Sequence, residues 1–420
     1  MRKKVKLLIY VLIGLNIPFL IRTTLFSYTI RNINSPYTTI YIHSLDLVLF
    51  LIFAHLFWQT KRFPLSSPKI VDKLWITLFF WIFMQLLWAQ YPLITWVWGV
   101  RLYLLTGIIW YIIKAKEFIK EITWIGRGFV IGMLGQTLIT ITQIILQKNI
   151  GLPVVVEPTL SRELAGVAKI SLGDNVLIRA YGTFPHPNIL AFAGIMALIL
   201  VYNRVIGQKQ AIILYILTLI VAGIFDHYIL TSIQAIIIAG LVGIGLNRDI
   251  KLDFTRRLNK IIIVLLHILI ILTFSKLALV LLLIIDCIYL TYSWNKKMFY
   301  VEQFQNKLKS LPRIIINSVA MIGIIILWIL PYQQILDTIL KRIFYLQDAF
   351  LIIQSNFLLG VGLGQYVPNL SENREFWQYE PVHNILGLLL SELGLIGVSI
   401  LLVIIGIGCY TLQYGYKKQR

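Results

Sequence analysis

The stretch "NILAFAGIMALILVY" (188–202) decides the fold class. It carries no charged residue, and with its flanks it is of the length, about 18 or more residues, that crosses a hydrocarbon core of about 30 Å. A second run, "LYILTLIVAGIF" (214–225), follows closely, and similar runs recur along the 420 residues. The whole chain is 58% hydrophobic and only 13% charged, whereas a globular chain has about 25% charged residues. Lipid rather than water is therefore the expected solvent. Unpaired backbone groups are too costly in lipid for open strands, and the alternation of a barrel is absent, so the spans are read as helices. The expected fold class is an all-α polytopic membrane protein, with 1–420 as a single integral membrane domain.

The first apolar run follows "MRKKVK" and reaches Pro18 and Leu20 with no small-residue cleavage site. It is read as a retained span rather than a signal peptide. Cys287 and Cys409 lie in or beside apolar runs, which offers neither a disulfide framework nor a metal cluster.

About twelve spans are expected: 7–22, 38–59, 74–91, 92–113, 121–146, 188–203, 210–225, 228–246, 260–274, 277–293, 314–331 and 384–408. Most of the 38 Lys and Arg residues then fall in the segments on one side. By the positive-inside rule that side is the cytoplasm, and both termini lie there. The net charge of +20 is explained without a nucleic-acid partner. Two outside segments are long, 147–187 before the sixth span and 332–383 before the twelfth. Long loops in compact proteins carry function or are disordered, and the aromatic, Pro and Gly punctuation of these two favours function.

Four features lie on the outer side. In "RAYGTFPHPNILAFAG" (179–194), Pro187 suits the first turn of a helix and His186 or its neighbour can cap it. Arg179 has no carboxylate beside it in sequence. Two turns, in "ILTSIQAIII" (229–238) and "ILTFSKLALVLLL" (271–283), carry hydroxyls, and the second adds Lys276; the bland reading is a snorkelling lysine. In "LKRIFYLQDAFLIIQSNFLLGVGLGQY" (340–366), Lys341 and Arg342 open a helical pattern that ends in Gly360, Gly362 and Gly364. A guanidinium matches phosphate oxygens in bidentate fashion, while a surface helix touching lipid headgroups is the alternative. In "PVHNILGLLLSELG" (381–394), His383 and Asn384 open the last span. Glu392 follows roughly 13 Å deeper at 1.5 Å per residue. A lone interfacial His is usually structural, and a carboxylate within a span is paired or functional. Asp46 and Arg101 are expected at matching depths in the second and fourth spans, which suits a structural ion pair.

Taken together, these residues resemble the O-antigen ligase and O-antigen polymerase superfamily of bacterial envelope glycosyltransferases. The family order is an Arg-x-x-Gly-Thr-Phe-x-x-Pro-Asn stretch, a Thr-x-Ser-Arg turn, an arginine-led helix ending in Gly-x-Gly-x-Gly, and a His-Asn span start followed by Glu-x-Gly-x-x-Gly. Here the first is Arg179 to Asn188, the third Arg342 to Gly364, and the last His383, Asn384, Glu392, Gly394 and Gly397. The resemblance covers 179–397. It departs at the turn, where the first hairpin has Gln234 and the second has Ser275 and Lys276, lysine for arginine.

The resemblance implies transfer of a glycan from a polyprenyl diphosphate to an acceptor hydroxyl on a glycan, lipid or protein, at the outer face of the cytoplasmic membrane. Arg342, Arg179 and Lys276 would stabilise the departing diphosphate. His383, which titrates near neutrality, would be the general base. Lys341, Asn384 and His186 join the substrate-binding candidates, with Asp46, Arg101 and Glu392 in supporting roles. Neither cofactor nor metal is expected, and the anomeric centre would invert. The rival is a transporter or flippase of a lipid-linked or anionic solute, for which Asp46, Arg101, Glu392 and Asp286 would suit a path; a noncatalytic scaffold is a third reading. Sugar, acceptor and the choice between ligase and polymerase are not legible.

Overall fold

The computed structural model describes residues 2–19, 21–30, 33–44, 46, 47, 50, 51, 53, 54, 70–114, 119–152, 157–164, 167–172, 175–225, 238, 239, 241–243, 245, 246, 250, 252, 254–298, 332–371, 379–382 and 384–417. In chain order the elements are α1 (Arg2–Asn16), β1 (Arg22–Ile30), β2 (Ile33–His43), α2 (Ile70–Met84), α3 (Pro92–Lys114), α4 (Ile119–Leu146), β3 (Lys169–Leu172), β4 (Asn175–Ile178), α5 (Pro187–Ile206), α6 (Gln208–Phe225), α7 (Arg256–Leu272), α8 (Lys276–Met298), α9 (Tyr332–Ser355) and α10 (Ile385–Lys417). Short 3-10 turns occupy Gln85–Leu87 and Val367–Asn369. Among the described residues, Glu121–Leu146, Pro187–Ile206 and Ile385–Val403 are long and apolar enough to cross a membrane.

The protein is mostly helical, and two antiparallel hairpins correct the all-α expectation: β1 with β2, and β3 with β4. The second span was expected to begin at 38, yet residues up to His43 are strand. "YTTIYIH" (37–43) is β-branched and aromatic at most positions, a composition that favours a pleated pairing. The first span was expected to run to 22, and α1 ends at Asn16. Pro18 disfavours helix for the residue before it and would remove a helical hydrogen bond. The expected span 314–331 and the turn at 229–237 lie outside the described residues.

The chain forms two compact units. The first contains Met1–Leu20, Glu117–Ala222 and Tyr228–Ile339. Within it α5 is buried almost throughout its length, with α7 and α8 packed on it and α1 packed on α4. A helix that is apolar all round belongs inside a bundle. Lipid tails are as apolar as leucine, so close packing rather than escape from water stabilises these contacts. The α1–α4 crossing shows it: a Cβ at Gly128 would lie 2.1 Å from the Val11 carbonyl oxygen, and one at Gly14 would lie 2.0 Å from that of Ile125.

The second unit contains Ile21–Lys116, Gly223–His227 and Leu340–Arg420. Here α10 packs on α2 and is broken at Gly394 (φ 66°, ψ 177°). The segment after α9 docks into the break. Val361 and Gly362 donate their amides to the Ser391 and Glu392 carbonyls at 2.9 Å, and Leu395 donates to Phe357 at 2.9 Å. A break in an apolar helix is tolerated only when the freed backbone groups find partners, and these do.

Candidate active site

In the first unit the loop after β4 carries Arg179. Its Nε donates to the Thr273 carbonyl and an Nη2 donates to Asn188 Oδ1, each at 2.7 Å. The Ala180 amide adds a bond to the Leu272 carbonyl at 3.3 Å. The Arg179–Asn188 stretch is thus tied at both ends, to the start of α5 and to the α7–α8 turn. That turn is Thr273, Phe274, Ser275 and Lys276, and Phe274 adopts a positive φ of 47°. Lys276 opens α8, outside the expected span 277–293. Partial burial, and then the Arg179 guanidinium, hold its ammonium below the usual lysine range.

His186 is the N-cap of α5. Its Nδ1 accepts the Asn188 amide at 3.2 Å, and Pro187 fills the first helical turn. The loop itself is held from α4. Gln143 Oε1 accepts the amides of Tyr181 (3.2 Å) and Gly182 (2.8 Å), and its Nε2 donates to the Gly182 carbonyl at 2.7 Å. Gln136 accepts the Thr183 amide at 3.0 Å and donates to Thr183 Oγ1 at 2.8 Å and to the Pro18 carbonyl at 2.9 Å. Gly182 has a φ of 58°, and a Cβ there would lie 2.4 Å from Gln136 Oε1. Sequence reading missed these glutamines. The signal was their spacing: Gln136 and Gln143 fall on one face of α4, and Gln147 follows just past its end.

A second polar group lies deeper in this unit. His267 Nε2 is 2.9 Å from Asp286 Oδ2, His267 Nδ1 donates to the Ile263 carbonyl at 2.7 Å, and the Tyr202 hydroxyl donates to Asp286 Oδ1 at 3.1 Å. Asp286 was noted in the sequence; its partners His267 and Tyr202 were not. Among the described residues no three His, Cys, Asp or Glu side chains gather as a metal site.

In the second unit α9 carries Lys341, exposed, and Arg342, half-buried. One turn on, Tyr345, Ala349 and Ile352 bury their side chains with Tyr366, Val382 and Leu388. Asn384 Oδ1 accepts the Gly387 amide at 3.0 Å and caps α10. His383 lies outside the described residues; Val382 before it is fully buried. The arginine-led helix and the start of α10 therefore share one core.

Glu392 is buried on α10, and its Oε1 accepts the Tyr366 amide at 3.3 Å. Around it Gln85 Nε2 donates to the Glu392 carbonyl at 2.8 Å, Trp81 Nε1 to Leu393 at 3.1 Å and Trp88 Nε1 to Gly360 at 3.0 Å. Gln365 and Thr95 complete the clamp, with Thr95 Oγ1 donating to the Leu363 carbonyl at 2.9 Å and accepting from Gln365 Nε2 at 3.1 Å. Arg101 pairs with Asp46 through Nε at 2.9 Å and Nη2 at 2.8 Å, and also donates to the Tyr41 carbonyl. Asp46 further accepts the His43 amide at 2.9 Å, just past β2.

Residues 261–402 match the O-antigen ligase family. The match takes in the Thr273–Lys276 turn, the Arg342–Gly364 segment and the His383–Gly397 segment, about a third of the chain. The 229–238 stretch precedes it, as does the Arg179–Asn188 stretch that the fold ties to Thr273. The O-antigen ligase family points to a polytopic membrane enzyme that transfers a glycan from a lipid carrier. No curated protein and no solved structure matches the chain.

Proposed function

We propose that this protein transfers a glycan from a polyprenyl diphosphate to an acceptor hydroxyl at the outer face of the cytoplasmic membrane. Support comes first from the docking of Arg179 on Thr273, which joins a stretch outside the O-antigen ligase match to the hydroxyl-and-lysine turn inside it. On this reading Thr273–Lys276 takes the part of the Thr-x-Ser-Arg turn, with lysine as a point charge. Arg179, Lys276 and Arg342 neutralise the diphosphate as the anomeric C–O bond breaks. His383 accepts the acceptor's proton, and the new bond forms on the opposite face with inversion. Lys341 assists at the headgroup, Asn384 fixes the start of α10, and His186 fixes that of α5. A diphosphate is a good leaving group, so the reaction needs no metal.

The test is glycan transfer in membranes from a polyprenyl-diphosphate donor, comparing His383→Ala and Arg342→Ala with the parent. Loss of transfer by both variants, with the proteins still inserted, is expected. Parent-level transfer by His383→Ala would overturn the assignment of the base.

A transport reading draws on one observation, the His267–Asp286–Tyr202 group inside helices, since polar groups at such depth mark solute or proton paths. Asp286→Asn separates the two readings. Glycan transfer is retained if the group only joins helices, and donor movement across the bilayer without bond cleavage is lost if it lines a path.

A further inference from the structure

α4 carries Gln136, Thr140 and Gln143 at spacings of four and three residues on one face of an apolar helix, and Gln147, at a positive φ of 53°, follows just past its last residue, Leu146. Amide side chains are expensive in such a setting unless each donor and acceptor is matched. Apart from the contacts with Pro18, Glu157 and α4's own backbone, the partners lie within the short segment 178–183. Gln147 Oε1 accepts the Ile178 amide at 2.8 Å. Gln143 reads Tyr181 and Gly182, and Gln136 reads Thr183. Gln143 also donates to Glu157 Oε2 at 3.2 Å, and that carboxylate in turn accepts the Ile150 and Leu152 amides.

Arg179 sits within this segment, between the residues that the glutamines hold. Its own amide donates to the Ala168 carbonyl at 3.0 Å, and its guanidinium reaches Thr273 and Asn188. No helix or strand runs through 179–186, so neighbouring groups rather than regular backbone bonding fix the place from which the side chain starts. The glutamines address backbone atoms, and Gly182 leaves the room they need.

We propose that the glutamines of α4, together with Gln147 just past its end, are the positioning device for Arg179, so that the diphosphate site extends into a helix outside the O-antigen ligase match. This rests on the reading that Arg179 holds the donor's diphosphate. A displacement of about 1 Å at a positioned charge costs on the order of 100-fold in rate. Glutamine loss is therefore felt in transfer while the helix remains inserted.

The experiment is a double-mutant cycle on the full chain in membranes, with Gln143→Leu, Arg179→Ala and the pair, scored as transfer rate against donor concentration. Each single variant is expected to lose transfer by about 10- to 100-fold, and the pair is expected to be no worse than Arg179→Ala alone, because Gln143 acts through Arg179. Losses that multiply in the pair overturn the proposal. If Gln143→Leu is not recovered in membranes, Gln147→Ala carries the same cycle from just past the end of α4, where its side chain holds the Ile178 amide. Thr142→Ala, at a half-buried α4 residue whose hydroxyl bonds the Leu138 carbonyl of its own helix, is the control with unchanged transfer. Parent-level transfer by Arg179→Ala instead defeats the underlying role of Arg179, a distinct outcome.

Discussion

Gly360 and Gly394 meet backbone to backbone: a Cβ on Gly360 would lie 2.4 Å from the Gly394 nitrogen, and one on Gly394 would lie 2.5 Å from the Gly360 nitrogen. Both have positive φ, 68° and 66°. The glycine run after α9 and the Glu-x-Gly of α10 are therefore two halves of one interlock, which explains why glycines close both motifs.

Alanine at either glycine brings left-handed strain of about 1–2 kcal/mol and overpacking of about 1–3 kcal/mol. Gly360→Ala and Gly394→Ala should each lower the midpoint of thermal unfolding in detergent. The control is Gly151→Ala, whose Cβ would meet nothing within 4 Å although its φ is 82°. It should lose only the strain part. Equal losses at all three positions would show that packing at the interlock contributes nothing.

The Asp46–Arg101 pair is expected to stabilise the second unit through its hydrogen bonds as much as its charge. Removing one partner of a buried pair costs about 3 kcal/mol or more. Asp46 is 21% exposed, and its loss should sit below that figure. Arg101→Leu should be worse than the Asp46→Leu/Arg101→Leu double variant, because the double variant leaves no carboxylate unpaired. Unfolding midpoints of the three proteins check this. A double variant that falls by the sum of both single losses would contradict it.

Lys276 gives a pH signature. If Lys276 faces a diphosphate, as the proposed function has it, its ammonium must be protonated, and burial together with Arg179 lowers the pH at which it loses its proton. Transfer should fall as pH rises through that lowered value. Lys276→Arg, whose guanidinium stays charged, should move the alkaline limb upward, and Lys276→Met should abolish the limb along with most of the rate. An alkaline limb identical in Lys276→Arg and the parent would remove Lys276 from the site.

Some of this was legible in the sequence and some was not, for physical reasons. Apolar runs such as 188–202 read directly as helices, because length and the absence of charge are enough. The β1–β2 hairpin was hidden because its strand residues run on into the apolar segment after His43, so one hydropathy signal covered two structures. The Asp46–Arg101 pair was expected between two helical spans; it forms, and Asp46 is helical, though it lies near the start of its helical segment just past β2 rather than well within a span. Arg179 and Lys276 were singled out separately, and only the fold brings Arg179 onto the turn that Lys276 ends. Gln136, Gln143 and Gln147 passed unnoticed because their spacing is a weak signal until their partners are known, and the backbone they hold in 178–183 lies 31 to 47 positions away.

The most direct measurement follows the donor's own bond. Purified protein in vesicles, given a polyprenyl-diphosphate glycan and an acceptor glycan, should release polyprenyl diphosphate in step with acceptor elongation. His383→Ala should do neither. Donor that appears on the far side of the bilayer with its glycosidic bond intact, and no polyprenyl diphosphate released, would contradict the account and favour transport.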